Sequence, residues 1–324
     1  MPSLSIIIVN YKSWGILQKN LELLSSYDFE NINLQIIVVD NCSNDGRLAE
    51  FISLFSKVLF VENEGNWGFA HGCNCGAKLA TGDILLFLNP DTLAPKASLE
   101  KMLFEYISDS KIGILSCKQS DKPSAFRKIT PSIFSLFGPQ RSLYVLLFPN
   151  KFKENNCLTC TVDAISPDWI SGSVVMISRA WFDRVGGWNT DYWMYFEDVE
   201  FSIKVKQAGG ELRMLCDVNI VHEHGGASRI NIETAALTKS EVIISHHVYI
   251  QNNFSALQKI PSHVLLVINT LFFKSILGIL GCFLFFIPKA SLQILLFRNI
   301  LKYYWSALRH QTWLSFRSFK FDKR

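Results

Sequence analysis

The chain has 324 residues, enough for one large domain or one domain with an appendage, and 49% of them are apolar. Its formal charge of +4 is uneven: residues 289–324 sum to +7, Lys274 adds one, and residues 1–259 sum to −4. A basic, aromatic-rich C-terminal segment behind an apolar stretch suits an anionic membrane surface, and nothing in the chain resembles a nucleic-acid reader. In chain order, Ser5–Val9 (SIIIV) is a short, continuously apolar run, as expected for a strand buried on both faces. A helical stretch follows with Leu17, Leu21 and Leu24 on one face. Gln35–Asp40 (QIIVVD) is a second strand that ends in a turn-rich cluster through Gly46. Val58–Val61 is a third strand and Ile84–Leu88 (ILLFL) a fourth, with Trp67–Ala80 between them as a glycine-containing loop entering a helix.

Such alternation predicts an α/β fold, an open and mostly parallel sheet with helices on both faces. Ligands bind such sheets beyond the C-terminal strand ends, so Asn10, Asp40 and Asn89-Pro90-Asp91 are expected to line one crevice. Residues 117–165 carry four prolines and are expected as loops and short helices. Ile170–Ser178 is a further strand candidate, Glu197–Ala208 a helix, and Leu212–Val221 one or two strands ending in His222-Glu223-His224-Gly225-Gly226. Met1-Pro2-Ser3 leads directly into the first strand, so no N-terminal signal peptide is expected. The eight cysteines show no framework, and Cys157-x-x-Cys160 lacks the second pair of a zinc site, so reduced thiols in a cytosolic protein are expected.

Several residues could carry chemistry. Asp91 follows a buried strand, where a carboxylate is costly unless it meets a cation. It is either a turn or helix-capping residue or an oxygen ligand for Mg²⁺ or Mn²⁺. Glu197-Asp198 opens a helix, which acids favour for the dipole alone. The aromatic run Tyr192-Trp193-Met194-Tyr195-Phe196 before it also suits a sugar, with rings stacking and a carboxylate taking a hydroxyl proton. His222 and His224 are two apart, so on an extended chain only one reaches a given metal. The segment Gly65–Gly76 is no dinucleotide fingerprint; it serves either close helix–strand packing or, the favoured reading, a backbone approach to a nucleotide-sugar.

Taken in order, SIIIVNYK, VVDNCSNDG, NWGFAHGCNCG, LFLNPDT, ISGSVVMISR, VGGWNTDYWMYFEDVEF and IVHEHGGAS resemble glycosyltransferase family 2, and within it a bacterial rhamnosyltransferase-like branch. The resemblance covers residues 3–230 and implies a GT-A fold, with a nucleotide-sugar half at 1–115 and an acceptor and catalytic half at 165–230. It implies that Asn10 and Asp40 hold nucleobase and ribose, that Asn74 and Asn89 frame the donor pocket, and that Gly172 leaves space for the sugar. It makes Asp198 the general base of an inverting transfer, with Trp193, Tyr195 and Glu197 on the acceptor side. Asp91 becomes the metal ligand, with His222 or, failing that, His224 as partner. The family's Asp-x-Asp begins here with Asn89, which leaves one carboxylate and agrees with the rhamnosyltransferase-like branch. The implied donor is deoxythymidine-diphosphate-rhamnose, with galactofuranose, fucose and other hexoses as alternatives. A sugar nucleotidyltransferase and a non-catalytic membrane scaffold are the minor rival readings.

Residues 231–260 are expected as linking helices and 261–324 as a membrane-associated tail. Val264–Ile287 is long enough to span a bilayer, but Lys274 near its middle costs about 2.5–3.5 kcal/mol. Spanning would also carry the positive tail outward. A re-entrant pair hinged near Gly278–Gly281 or Pro288 avoids both, and Leu292–Leu308, with Tyr303, Tyr304 and Trp305, suits an interfacial helix. The expected place is the cytoplasmic face of the inner membrane, through monotopic or peripheral attachment, with a lipid-linked glycan as acceptor in surface-polysaccharide assembly.

Overall fold

The computed structural model describes residues 2–119, 146–147, 163–222, 231–283 and 286–323. They group into two compact units, one of residues 2–119, 163–189 and 197–222, the other of 146–147, 190–196, 231–283 and 286–323.

The first unit is built on strands β1 (Ser3–Asn10), β2 (Asn33–Asp40), β3 (Val58–Glu62), β4 (Ile84–Leu88), β6 (Ile112–Lys118), β7 (Ala164–Ile165), β8 (Val174–Ser178) and β9 (Glu211–Asn219), in the order β3-β2-β1-β4-β8-β6-β9-β7. A separate ribbon pairs β5 (Thr92–Leu93) with β10 (Val221–His222). The apolar run of β1 is continuous because both faces are covered. Ile6 and Ile8 pack with Leu17, Leu21 and Leu24 of α1 (Trp14–Ser25), while Ile7 and Val9 pack with Ala70, Cys73 and Ala77 of α3 (Phe69–Leu79). The other helices of this unit are α2 (Arg47–Leu54), α4 (Lys96–Ser108), α5 (Arg179–Arg184) and α6 (Glu197–Gln207).

The sheet is mixed. β1, β2, β3 and β4 run parallel, β6 is parallel to β9, and β8 lies antiparallel between β4 and β6. β6 is a strand that the sequence reading missed, and Gly113 within it shows why a glycine is tolerated there. A Cβ on Gly113 would come 2.2 Å from Val205 Cγ1 of α6, so the helix rests directly on the strand's backbone. Of the region expected as loops, 120–145 and 148–162 lie outside the described residues, as do Cys157 and Cys160. Cys42, Cys73, Cys75, Cys117 and Cys282 are free thiols.

In the second unit, α7 (Ile232–Asn253) begins with the Asn231 side chain accepting from Thr234 N–H at 2.8 Å, a conventional N-cap. α8 (Ala256–Phe283) runs unbroken through Gly278 and Gly281, which excludes a hinge at those glycines. α9 starts at Pro288 and continues to His310. The glycines serve packing instead: a Cβ on Gly281 would meet the Ala290 carbonyl oxygen at 2.8 Å, and one on Gly278 would meet Phe297 at 3.0 Å. Among the described residues α8 alone is long and apolar enough to cross a membrane, with a mean hydropathy of 2.0 over its most apolar 18-residue window.

Two expectations for the C-terminal segment change. Tyr303 is fully buried and its hydroxyl donates to the Trp313 carbonyl at 2.8 Å, so it is a core residue of this unit and not an interfacial anchor. Trp305 does face outward, at 69% exposure. The positive charge is also partly neutralised, because Arg317 pairs with the buried Glu241 at 2.8 Å and Lys320 with Asp191 at 2.7 Å. Lys289, Arg298, Lys302 and Arg309 form no ion pair among the described residues.

Candidate active site

Strand register gathers the expected polar residues at one sheet edge. Asn10 is the partner of Asp40 across β1 and β2, and Ile8 pairs with Leu88 across β1 and β4, so Asn89-Pro90-Asp91 leaves β4 at the same end of the sheet. Asn10 and Asp40 are both buried, and Asn10 Nδ2 donates to Asp40 Oδ1 at 2.8 Å. Asp40 also accepts from the Ser43 backbone N–H at 2.9 Å and the Ser43 hydroxyl at 2.6 Å. The pair therefore fixes the loop that follows β2 and does not present its polar atoms to solvent. Asn41 extends this network, donating to the Gly68 carbonyl at 3.0 Å and accepting from Asn63 Nδ2 at 2.8 Å. The Asp-x-x-Ser spacing of Asp40 and Ser43, a local carboxylate-to-backbone turn, is a signal by which sequence reasoning could have found Ser43.

The Gly-rich helix α3 packs tightly. A Cβ on Gly76 would lie 2.4 Å from Ile7 Cγ2, and one on Gly72 would lie 2.7 Å from Val9 Cγ1. Close helix–sheet packing thus accounts for these two glycines. Asn74 from the same helix makes a two-point clamp on Trp188, donating to its carbonyl at 2.8 Å and accepting from its N–H at 3.0 Å. It holds the turn at Gly186 and Gly187, both of which have positive φ. Asn74→Ala is expected to lower stability by about 1–3 kcal/mol, since two backbone groups lose their partner. A thermal unfolding midpoint unchanged from the wild type would contradict that role.

Asp91 is 5% exposed and sits in the turn between β4 and β5. The turn is braced by the Thr92 hydroxyl, which donates to the Asn89 carbonyl at 2.7 Å, and by Asn20 Nδ2, which donates to the same carbonyl at 3.3 Å. Asn20 was legible as the one polar residue on the Leu17, Leu21, Leu24 face of α1, a spacing that buries it. The antiparallel pairing of His222 with Thr92 brings His222 to this turn, 130 residues away in sequence. His222 Nε2 lies 3.1 Å from Asp91 Oδ1 and 3.5 Å from Asn89 Nδ2.

Asp91 Oδ1 is buried and makes no aligned hydrogen bond, although the imidazole is close. A buried carboxylate oxygen and an imidazole nitrogen 3.1 Å apart at one turn fit a divalent cation. Two protein ligands leave most positions of a hard cation to phosphate and water oxygens, as with Mg²⁺ at nucleotide sites. Among the described residues there is no cluster of three or more His, Cys, Asp or Glu. His224 lies outside the described residues.

The acids at the start of α6 take different positions. Glu197 is 6% exposed and its Oε2 is buried with no hydrogen-bond partner among the described residues, so it is not displayed to an acceptor as expected. Asp198 is half-buried, and its carboxylate accepts from Gly172 N–H at 3.1 Å and Val199 N–H at 2.8 Å. Burial raises the Asp198 carboxyl above its ordinary range, against the lowering effect of those backbone donors. Burial, then the Asp198 charge, raises Glu197 much further.

Gly172 lies beside the Asp198 carboxylate, to which its N–H donates. A Cβ there would lie 3.2 Å from Phe69 and 3.6 Å from Asp198 Cβ, so the missing side chain lets these residues approach the backbone. Trp193 is 6% exposed, with the Arg317 guanidinium 5.8 Å from its ring centroid, and is not an open stacking platform. Tyr195 and Phe196 have φ of 73° and 68°, left-handed values that non-glycine residues adopt at a cost and that cluster at functional sites. No sequence signal announced that strain, which immediately precedes Glu197-Asp198.

A family model described as glycosyl transferase family 2 matches residues 5–172. The chain belongs to glycosyl transferase family 2. A second model, described as the N-terminal domain of galactosyltransferase, matches residues 165–224, so the two together cover the sheet, Asp91, Asp198 and His222 of this family 2 enzyme. Among curated relatives it is similar to the low-salt glycan biosynthesis hexosyltransferase Agl10 of Haloferax volcanii, 25% identical over 68% of this chain and 67% of that one. It is also similar to the rhamnosyltransferase WbbL of Escherichia coli, 25% identical over 67% of this chain and 82% of that one. In fold it is similar to the mannosyltransferase PcManGT of Pyrobaculum calidifontis, solved with GDP-Man and Mn²⁺, at a TM-score of 0.54, 17% identity, and coverage of 93% and 87% of the two chains. GalNAc-T7, solved with UDP, GalNAc and Mn²⁺, follows at 0.53 and 17% identity, covering 77% of this chain and 50% of that one. The fold is GT-A, and the protein is a glycosyltransferase.

Proposed function

We propose that this glycosyltransferase moves a sugar, with inversion, from a nucleotide-sugar to a hydroxyl of a lipid-linked glycan at the cytoplasmic face of the inner membrane, in surface-polysaccharide assembly. The observation that carries the reading is the convergence of Asp91 and His222 where the strands end. Mg²⁺ or Mn²⁺ held there, together with diphosphate oxygens, would offset the charge that grows on the departing diphosphate. The two structural relatives solved with Mn²⁺ support that choice of group.

Asp198 accepts the proton of the acceptor hydroxyl as its oxygen attacks the anomeric carbon. The bond from that carbon to the diphosphate breaks on the opposite face, and the nucleoside diphosphate leaves with the electron pair. The backbone N–H groups of Gly172 and Val199 aim the Asp198 carboxylate and favour its ionised form. The Asn10–Asp40–Ser43 network keeps the loop after β2 in place for the nucleoside, acting through the backbone it fixes.

Deoxythymidine-diphosphate-rhamnose is the proposed donor, supported by likeness to the Escherichia coli rhamnosyltransferase; likeness to Agl10 supports another hexose as the alternative. The test is a panel of dTDP-rhamnose, UDP-galactofuranose, GDP-fucose and UDP-hexoses incubated with the protein and Mn²⁺ or Mg²⁺. Release of the nucleoside diphosphate from dTDP-rhamnose, dependent on the cation, is expected. No release from any donor, or formation of nucleotide-sugar from a nucleoside triphosphate and a sugar phosphate, overturns the reading.

Membrane attachment rests on α8, where Phe272, Phe273, Ile279, Leu280 and Phe283 are exposed and only 22% of the apolar window is buried. Such a face lies in the acyl boundary, with the unpaired cations of α9 at the headgroups. The protein is expected to stay with membranes through a high-salt wash and to leave them in detergent. Release by salt alone would exclude apolar anchoring.

A further inference from the structure

The helical unit contains a cavity of about 540 Å³ that the transfer chemistry does not use, lined by Asp191, Gln251, Asn252, Gln311, Trp313 and Lys320 among others. Its size lies within the roughly 300–1,000 Å³ of small-molecule sites. We propose that it is a carbohydrate subsite, which binds a sugar ring of the glycan acceptor. The inference rests on the glycosyltransferase reading for its biological meaning, but binding there is measurable without turnover.

The wall carries several polar groups held in place. The Asp191 carboxylate, 12% exposed at its side chain, is fixed from two sides, by Asn252 Nδ2 at 3.0 Å and by Lys320 Nζ at 2.7 Å. Gln251 and Gln311 add exposed amides, each able to donate and to accept. Gln311 ends α9 with φ 51° and ψ 44°, a conformation that turns the chain along the cavity. Trp313 supplies a half-buried aromatic surface.

Trp313 is held by an unusual backing. Its ring centroid is 4.2 Å from His263 and 4.5 Å from His247, with interplanar angles of 9° and 6°. The two imidazoles are 5.1 Å apart, nearly coplanar, and joined Nδ1 to Nδ1 at 2.9 Å. Those distances are met only if both imidazoles lie side by side against the same face of the indole. His247 is also tied to the Tyr304 hydroxyl at 3.1 Å. The indole is thus a rigid plate with one face covered by the two imidazoles, and Trp313 is among the residues that line the cavity.

A fixed aromatic plate, a fixed carboxylate and exposed amides match a pyranose, which offers an apolar C–H face and a rim of hydroxyls that both donate and accept. A phosphate matches less well, because Lys320 is already neutralised by Asp191 and an anion would meet a carboxylate.

The test uses the full-length protein in detergent and saturation-transfer NMR with methyl glycosides of rhamnose, galactose, glucose and N-acetylglucosamine, and with methyl phosphate as the anion probe. The comparison variant is Gln251→Ala with Gln311→Gly, in which glycine accepts the left-handed backbone of position 311. At least one methyl glycoside is expected to bind the wild type and to weaken roughly tenfold in the variant, as loss of two hydrogen bonds predicts. The affinity for nucleotide-sugar, measured by calorimetry on both proteins, is expected to stay the same. Absence of glycoside binding, equal binding to the variant, or preferred binding of methyl phosphate overturns the subsite. Failure of the wild type to bind any nucleotide-sugar counts instead against the proposed function.

Discussion

Asp198→Asn is expected to lower kcat by about 10²–10⁴-fold, the usual loss when a general base is removed, while nucleotide-sugar affinity is retained. The amide keeps the size of the carboxylate and one oxygen to accept from Gly172 or Val199, so the fold has little reason to change. The pH profile of the wild type gives an independent check. Burial raises the Asp198 carboxyl, and the base works only when ionised, so activity falls as pH drops through a limb lying above the ordinary aspartate range. Burial, then the Asp198 charge, also raises the Glu197 carboxyl. Glu197→Gln removes the neighbouring acid and keeps Asp198, so the acid limb is expected to persist. A limb that vanishes in Glu197→Gln, or wild-type turnover in Asp198→Asn, assigns the base elsewhere.

Asp91→Asn is expected to reduce turnover by about 10²–10³-fold, the range found when one group that stabilises developing negative charge is lost. The cation concentration for half-maximal activity should rise in parallel. His222→Ala should act in the same direction, because β5 and β10 bring both side chains to one point. The readout beside activity is Mn²⁺ paramagnetic resonance in the presence of nucleoside diphosphate: the bound-ion signal seen for the wild type should weaken in both variants and persist in Asp198→Asn. Equal Mn²⁺ binding by all four proteins would show that Asp91 and His222 are not its ligands. In that case Asp91 would be a turn residue whose partner is the imidazole alone.

The parallel half of the sheet was readable because each strand carries its own signal. Ser5–Val9, Gln35–Asp40 and Ile84–Leu88 are apolar without alternation since helices cover both faces, and each run ends in or is followed by a polar residue, Asn10, Asp40 or Asn89. The antiparallel strand β8 and the glycine-bearing β6 were not readable to the same degree. Their positions follow from pairings with β4 and β9, which local sequence does not encode. Glycines were the least transparent residues. In a sequence, Gly72 and Gly76 could equally make room for a ligand or for a neighbouring side chain, and only the distances to Val9 and Ile7 show the close packing they permit.

The acidic pair shows the same division. The sequence alone determined that Glu197 and Asp198 open a helix, that Asp91 follows a buried strand, and that His222 lies at the end of another. It also determined, through its ordered motifs, that the chain is a family 2 glycosyltransferase. Tertiary structure decided which acid faces outward, because burial of Glu197 and half-burial of Asp198 depend on what packs against α6. It likewise decided that Asp91 meets His222, since their approach is made by a two-residue ribbon joining segments 130 residues apart. Hydrophobic periodicity is a property of neighbours in the chain and survives in a string of letters. The meeting of a carboxylate and an imidazole is a property of strand pairing across the fold, and it exists only once the sheet has formed.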